Sequence, residues 1–173
     1  MKNIFTLLAL TIGFSMNAQM VDNSSFCSAS GSYSVAMGIF TTASGGVSTV
    51  MGNFTTASGY VSTAMGENTQ AIGNYSTAMG NSTQASGNSS TAMGNFTTAS
   101  DYGSLVIGQY NSSGSTVTNS DTAFNTANTA FVIGNGTDSS NKSDAFKVMF
   151  NGDATVGNDL TVEGDVVINS DMR

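Results

Sequence analysis

Residues 76–89 read STAMGNSTQASGNS, and this stretch decides the fold because the chain repeats it. It consists of two similar seven-residue halves. From Ala29 to Gly108 an Ala or Val recurs every seven residues, and Gly follows two residues later except where Asp101 replaces it. Ser and Thr alternate five residues after the Ala or Val, so the true period is 14 residues. Repetition without drift indicates one supersecondary unit stacked on itself.

A period of seven is also that of coiled coils, but the residue types exclude one here. Coiled coils need large apolar side chains at two heptad positions, whereas the fixed positions of this repeat are Ala, Gly and Ser or Thr. A Gly in every heptad would destabilise a helix by about 1 kcal/mol each. Collagen is excluded too, since the chain has no Pro and no Gly at every third position.

Alternation within each half-repeat predicts a short β-strand followed by a turn. In a strand over 76–80, Ser76, Ala78 and Gly80 face one side, and the Thr and Met between them face the other. The side with Ser or Thr, Ala and Gly suits the interior of a narrow solenoid, where backbones approach closely. Residue pairs between the strands, such as Asn-Tyr at 74–75, are typical of turns. We therefore predict an all-β fold: a parallel β-roll solenoid with six 14-residue coils.

The outward faces of the two half-repeats differ, because one is apolar and the other is polar. A solenoid this thin has no large core in which to bury an apolar ladder, so the ladder needs a partner. Another copy of the same chain is the natural partner. We predict that this ladder lines a homotrimer axis. The predicted trimer-interface residues are Val35, Met37, Met51, Met65, Met79, Met93, Leu105 and Ile107. In the alternative arrangement the Met residues form the interior, although an all-Met interior would be soft and poorly specified.

Aromatic residues recur at the predicted corners of the coils. Phe26, Phe40, Phe54 and Phe96 share one phase of the repeat, and Tyr33 and Tyr75 share another. One interpretation is packing between the edges of neighbouring turns. The other is a contact surface, since exposed aromatic side chains dominate recognition. The candidate ligand-contact residues are Phe40, Phe54, Tyr75 and Phe96.

Ser-Val-Ala-Met-Gly at 34–38 and Ser-Thr-Ala-Met-Gly at 62–66, 76–80 and 90–94 resemble the head repeats of trimeric autotransporter adhesins, such as the Yersinia adhesin head. The resemblance covers about residues 26–112. It implies a left-handed β-roll, three chains packed side by side, and an apolar pair lining the trimer axis. The handedness rests on the resemblance alone, because crossover connections are normally right-handed. This chain has Met where that family more often has Ile or Leu. The heptad stalk and the C-terminal membrane anchor of that family are not recognisable in this sequence.

The N-terminal residues predict export. Residues 1–18 read as a secretory signal peptide, with Lys2, an apolar run over 4–14 and small residues before Gln19. The apolar run is too short to span a membrane, and no second such run follows it. We therefore expect a cell-surface or extracellular protein with no membrane-spanning segment in the mature chain.

The C-terminal third differs from the repeat in composition and in residue pattern. Residues 113–130 are rich in Ser, Thr and Asn and predict a linker or a degenerate coil. Short β-prone runs separated by tight turns over 131–173 predict a β-hairpin neck or shaft. Residues 131–152 also resemble the region preceding the self-cleaving chaperone domain of phage tailspikes, and 170–173 resemble the opening of that domain. That resemblance implies a fragment or a mature product.

Composition argues against catalysis, cofactors and nucleic-acid binding. The formal net charge is −7, and between Cys27 and Ser112 the only charged residues are Glu67 and Asp101, so nothing basic could hold nucleic acid. The chain has no His, and its carboxylates show no paired arrangement. Calcium-binding β-rolls need Asp in each Gly-rich turn, and here only Asp101 fits. Cys27 occupies a Ser/Thr position of the repeat, where we expect it to be inert.

The leading functional hypothesis is a non-catalytic adhesin head that binds a host matrix protein, a glycan or a cell surface. Phage-like tail-fibre or spike material is the alternative; the C-terminal resemblance favours it and the signal peptide opposes it. A minor alternative is an ice-binding solenoid, since Thr42, Thr56 and Thr98 form a polar row that Gln70 and Gln84 interrupt.

Overall fold

The structure is a computed structural model that describes residues 26–163. The predicted signal peptide at 1–18 and the β-prone run at 166–168 lie outside these residues. The described part of the chain is built from strands and contains no helix, and so no helix that could cross a membrane. The prediction of an all-β solenoid with about six 14-residue coils is confirmed.

Each coil consists of one five-residue strand and one two-residue strand. The five-residue strands are β2 (Val35–Ile39), β4 (Thr49–Asn53), β6 (Thr63–Glu67), β8 (Thr77–Asn81), β10 (Thr91–Asn95) and β12 (Leu105–Gln109). The two-residue strands are β1 (Ser28–Ala29), β3 (Thr42–Ala43), β5 (Thr56–Ala57), β7 (Gln70–Ala71), β9 (Gln84–Ala85) and β11 (Thr98–Ala99). All twelve pair in parallel with strands of their own kind. We call the two resulting sheets the long sheet and the short sheet.

In-register pairing turns every position of the repeat into a ladder. Met65 pairs with Met79, and Ala64 pairs with Ala78, so each residue lies against its equivalent 14 residues away. The Ala and Val ladders are buried, as are the Ser and Thr that lie two residues before them, just outside each strand. Met37 and Met51 remain 39% and 37% exposed. The small residues therefore form the interior, and the alternative with a Met interior is wrong.

The glycines do not all face inward, which corrects one detail of the prediction. Gly45 and Gly59, which follow two-residue strands, are buried, but Gly66 and Gly80 in the long sheet are exposed. Gly66 has a φ of +119°, and a Cβ there would collide with the carbonyl oxygen of Gly80. Gly is therefore required in the long sheet by its backbone conformation and by close stacking, not by the size of the interior.

Each connection between strands of the repeat turns through a residue with positive φ, which immediately precedes the buried Ser or Thr or, at Tyr110, Asn111. These residues are Tyr33, Phe40, Val47, Phe54, Val61, Asn68, Tyr75, Ser82, Ser89, Phe96 and Tyr110, and Gly103 holds the same phase. Positive φ is uncommon for residues other than Gly and strained for branched ones. The stacked neighbour stabilises it: the N–H of Asn68, for example, donates to the carbonyl of Asn53 at 2.9 Å.

The long sheet continues beyond the repeats. Strand β13 (Thr129–Asn135) pairs in parallel with β12, with Phe131 beside Leu105. Strands β14 (Asp144–Met149) and β15 (Ala154–Val156) follow in antiparallel order and bring the long sheet to nine strands. Residues 110–128 connect β12 to β13 without a strand of their own. The division of the chain at 112 and 130 into domains stays a prediction.

Polar side chains close the end of the short sheet. The Asn111 side chain accepts from Thr98 N at 2.8 Å and donates to Thr98 O at 2.9 Å, as a further strand would. The buried Asp101 carboxylate accepts from the N–H groups of Thr118 and Thr129 at 2.6 and 2.8 Å. Asp replaces Gly at this position because no further coil stacks there to exclude a side chain.

Candidate functional site

The predicted trimer-interface residues lie together on the outer face of the long sheet. Their register forms two adjacent rows, one of Met37, Met51, Met65, Met79, Met93 and Ile107, and one that contains Val35 and Leu105. Met37, Met51 and Leu105 are exposed, and the others are half-buried. We call this surface the Met face. Thr residues fill the second row between Val35 and Leu105, so the Met face is apolar along one row and mixed along the other.

The Met face extends past the repeats into the C-terminal strands. Phe131 and Ile133 pair with the last residues of the two rows. On the antiparallel β14, Val148 lies opposite Phe131, and Phe146 lies opposite Ile133; residues directly opposite each other share a face. The Phe131 and Phe146 rings meet edge to face, with centroids 6.2 Å apart. Val156 on β15 continues the row opposite Phe146.

This extension was not predicted from the 14-residue period, although the sequence contains a signal for it. Residues 131–134 read Phe-Val-Ile-Gly, which repeats the Leu-Val-Ile-Gly of 105–108. The spacing between the two is 26 residues instead of 14, because the connection over 110–128 is longer than the corresponding connections of the repeat. The seventh strand of this ladder is therefore out of phase with the 14-residue period.

Three of the four candidate ligand-contact residues lie on one corner of the solenoid. This corner connects each five-residue strand to the following two-residue strand, and we call its ladder the aromatic column: positions 26, 40, 54, 68, 82, 96 and 110. The Phe26, Phe40 and Phe54 rings stack with centroids 4.6 Å apart. Phe96 stacks on Tyr110 at 4.7 Å with an interplanar angle of 8°.

Tyr75 lies apart from these three Phe residues. It belongs to the other connection of the coil, between a two-residue strand and the next five-residue strand. Its ring meets that of Tyr60 edge to face, with centroids 5.8 Å apart. The sequence groups the aromatic residues by phase correctly, but the structure places the two phases on different corners, so the four candidates do not form one site.

Glu67 is the one exposed charged side chain between Cys27 and Ser112, since Asp101 is buried. Its carboxylate accepts from the amide of Asn81 at 3.1 Å and, at the longer distance of 3.5 Å, from the amide of Asn53. Glu67 directly precedes Asn68 of the aromatic column. The only exposed charge of the repeat region therefore lies beside this corner.

Among residues 26–163 no group of three His, Cys, Asp or Glu could hold a metal ion. The hydroxyls of the buried Ser and Thr ladder face the interior: Ser48 Oγ donates to Gly45 O at 2.7 Å, while Thr55 Oγ1 is buried without a hydrogen-bond partner. In the exposed loop before β14, hydrogen bonds from the side chain of Asn141 and the backbone of Ser140 lower the pKa of the Asp138 carboxyl.

These features define a class: a parallel β-solenoid of 14-residue coils with a small-residue interior and an exposed apolar sheet face. Residues 29–55, 57–83 and 85–111 match the family model described as the YadA head domain repeat (2 copies). This match confirms the resemblance of residues 29–111 to the head repeats of trimeric autotransporter adhesins. The family points to an adhesin-type role and to cell-surface proteins. The comparison with curated proteins gives no match. The tailspike resemblance of the C-terminal part stays a prediction.

Proposed function

We propose that the mature protein is an exported, surface-displayed homotrimer whose head binds a host or environmental surface without catalysis. The observation that carries this proposal is the Met face, which runs across all nine strands of the long sheet. The solenoid interior contains only small residues, so the largest apolar side chains of the repeat are on the outside. Burying each Met between chains would contribute about 1.5–3 kcal/mol.

A cyclic trimer fits this face better than an isolated chain. The two rows run straight along the stack because every coil pairs in register with the next. Three parallel copies can therefore bring the same rows to a common axis over the whole length of the sheet. The left-handed coil of the family is part of this proposal.

The adhesive role is supported by the surfaces that such a trimer leaves exposed. The short sheet presents Thr42, Thr56, Gln70, Gln84 and Thr98 in one uncharged row, and the corners present aromatic side chains. Repetition offers the same weak contact many times, and three chains multiply it, so avidity replaces single-site affinity. A host matrix protein, a glycan or a cell surface are the partners that suit this surface. The signal peptide at 1–18 supports export.

The test is adhesion of the purified mature chain to immobilised matrix proteins, glycans and cells. We expect the wild type to adhere, and a Met65→Asp/Met79→Asp variant to lose adhesion steeply although its short sheet and corners are unchanged. Binding should change by less than about twofold between low and high salt, because few charges are available to screen. If the wild type adheres to none of these surfaces, the result contradicts the proposal and favours a structural spacer.

A further inference from the structure

The aromatic column is interrupted at one place, where Asn68 and Ser82 stand between Phe54 and Phe96. All four residues have nearly the same φ, between 52° and 53°, so the backbone is the same and only the side chains differ. Three coil steps separate the two Phe rings, which is about 14 Å at 4.8 Å per step. We call this interruption the column gap.

Each end of the column gap presents an aromatic ring face. One face of Phe54 stacks on Phe40 with an interplanar angle of 12°, so its other face points along the stack toward the level of Asn68. Phe96 stacks on Tyr110, so its free face points toward the level of Ser82. Phe54 is 51% exposed and Phe96 is 43% exposed. Elsewhere along the Phe26–Phe54 stack the ring faces cover one another.

Hydrogen-bonding groups of both kinds lie beside the gap. The Glu67 carboxylate supplies acceptors, and its hydrogen bonds to the amides of Asn53 and Asn81 extend the polar group over three coils. Asn68 itself is exposed and offers a donor and an acceptor. The only exposed charge of the repeat region thus coincides with the only break in the column.

We infer that the column gap binds a neutral glycan, with one pyranose ring against the free face of Phe54 and another against that of Phe96. A pyranose ring combines an apolar face with a rim of hydroxyls, and it therefore needs an aromatic face together with mixed donors and acceptors. The Glu67 carboxylate would repel an acidic sugar. A cationic peptide would gain little from the neutral amides that make up the rest of the site. This inference rests on the proposed adhesive function and assigns its ligand class.

The first test measures binding of the full mature chain to an array of immobilised neutral oligosaccharides of the gluco-, galacto-, manno- and N-acetylglucosamine series. Sialylated oligosaccharides and Lys-rich peptides are included as comparisons. We expect Phe54→Asn and Glu67→Gln each to weaken binding about tenfold. Asn already occupies position 68 with the same φ, so Phe54→Asn is compatible with the fold. Tyr33→Asn is the matched control, because Tyr33 is exposed and has positive φ on the other corner.

The second test fills the gap. An Asn68→Phe/Ser82→Phe variant completes the column with rings that stack as Phe40 and Phe54 do, so it should remain folded and lose glycan binding. If the ligand instead contacts the ring edges along the column, this variant will bind more strongly, which would overturn the inference. Circular dichroism and light scattering verify that the variant keeps the fold and the assembly of the wild type.

The outcomes separate the inference from the proposed function. Wild-type binding to neutral oligosaccharides that is lost on filling the gap supports both. Adhesion to a matrix protein, to sialylated glycans or to Lys-rich peptides alone, or binding unchanged by the filled gap, overturns the glycan site while the adhesive function stands. Failure of the wild type to adhere to any surface contradicts the two together.

Discussion

The side-chain amide of Asn111 takes the place of a backbone peptide at the edge of the short sheet. It accepts from Thr98 N at 2.8 Å and donates to Thr98 O at 2.9 Å, and the Asn111 side chain is buried. An exposed sheet edge invites pairing with another chain. Asn111 therefore both satisfies β11 and ends the growth of the short sheet.

Replacing Asn111 with Ala should lower the free energy of unfolding by about 2–4 kcal/mol, because three partly buried hydrogen bonds of its side chain are lost, two with the backbone of Thr98 and one to Ser113 O. Chemical denaturation at fixed protein concentration measures the change. Asn53→Ala is the control, since the only side-chain hydrogen bond of Asn53 is a long one at the surface. Equal stability of the two variants would show that Asn111 does not close the sheet.

Charges on the Met face should abolish the proposed trimer. Met65→Asp/Met79→Asp would place adjacent carboxylates in the apolar row, where burial is strongly unfavourable. Light scattering should then report monomer or aggregate, whereas we expect the wild type to be trimeric. Gln70→Asp/Gln84→Asp adds the same charges to the same part of the solenoid on the short sheet and should stay trimeric. A trimeric Met variant would place the interface on another surface.

Gly66 should not tolerate Ala. A Cβ at this position collides with the carbonyl oxygen of Gly80, and φ is +119°. Gly66→Ala should therefore reduce the free energy of unfolding by at least about 2 kcal/mol. Gly46→Ala is the control, since a Cβ there lies 3.2 Å from the side-chain ring of Tyr60 and 3.9 Å from the nearest backbone atom, Ser32 O. If both variants melt alike, close stacking of the long sheet does not limit this position.

Thr55 and Thr56 are neighbours in sequence but face opposite sides. The Thr55 hydroxyl is buried without a hydrogen-bond partner, whereas Thr56 is half-buried on the outer face of the short sheet. Thr55→Val removes an unsatisfied polar group at almost constant shape and should raise the free energy of unfolding by about 1 kcal/mol. Thr56→Val should change it by less than about 0.5 kcal/mol. A loss of stability at Thr55 would mean that its hydroxyl is bonded in solution.

The sequence by itself determined the coil. In-register stacking gives each position the same neighbour in every turn, so the alternation around Ala64 and Met65 is enough to predict which residues lie inside. The period also predicted the two-row ladder from Val35 to Ile107 and the phase of the corner aromatics. These features are local to one coil, and repetition strengthens their signal.

Only the tertiary structure decided how the repeat ends and which surfaces meet. The exchange of Gly for Asp101, the Asn111 pairing and the continuation of the Met face at Phe131 depend on contacts between segments that share no period. The corners of Phe54 and Tyr75 separate because the two connections of a coil lie at different ends of its strands. The sequence alone could not show whether Gly66 faces the interior or the outside, because a small residue fits equally well in both places. Its positive φ and the neighbouring carbonyl of Gly80 show that Gly is required there by the backbone.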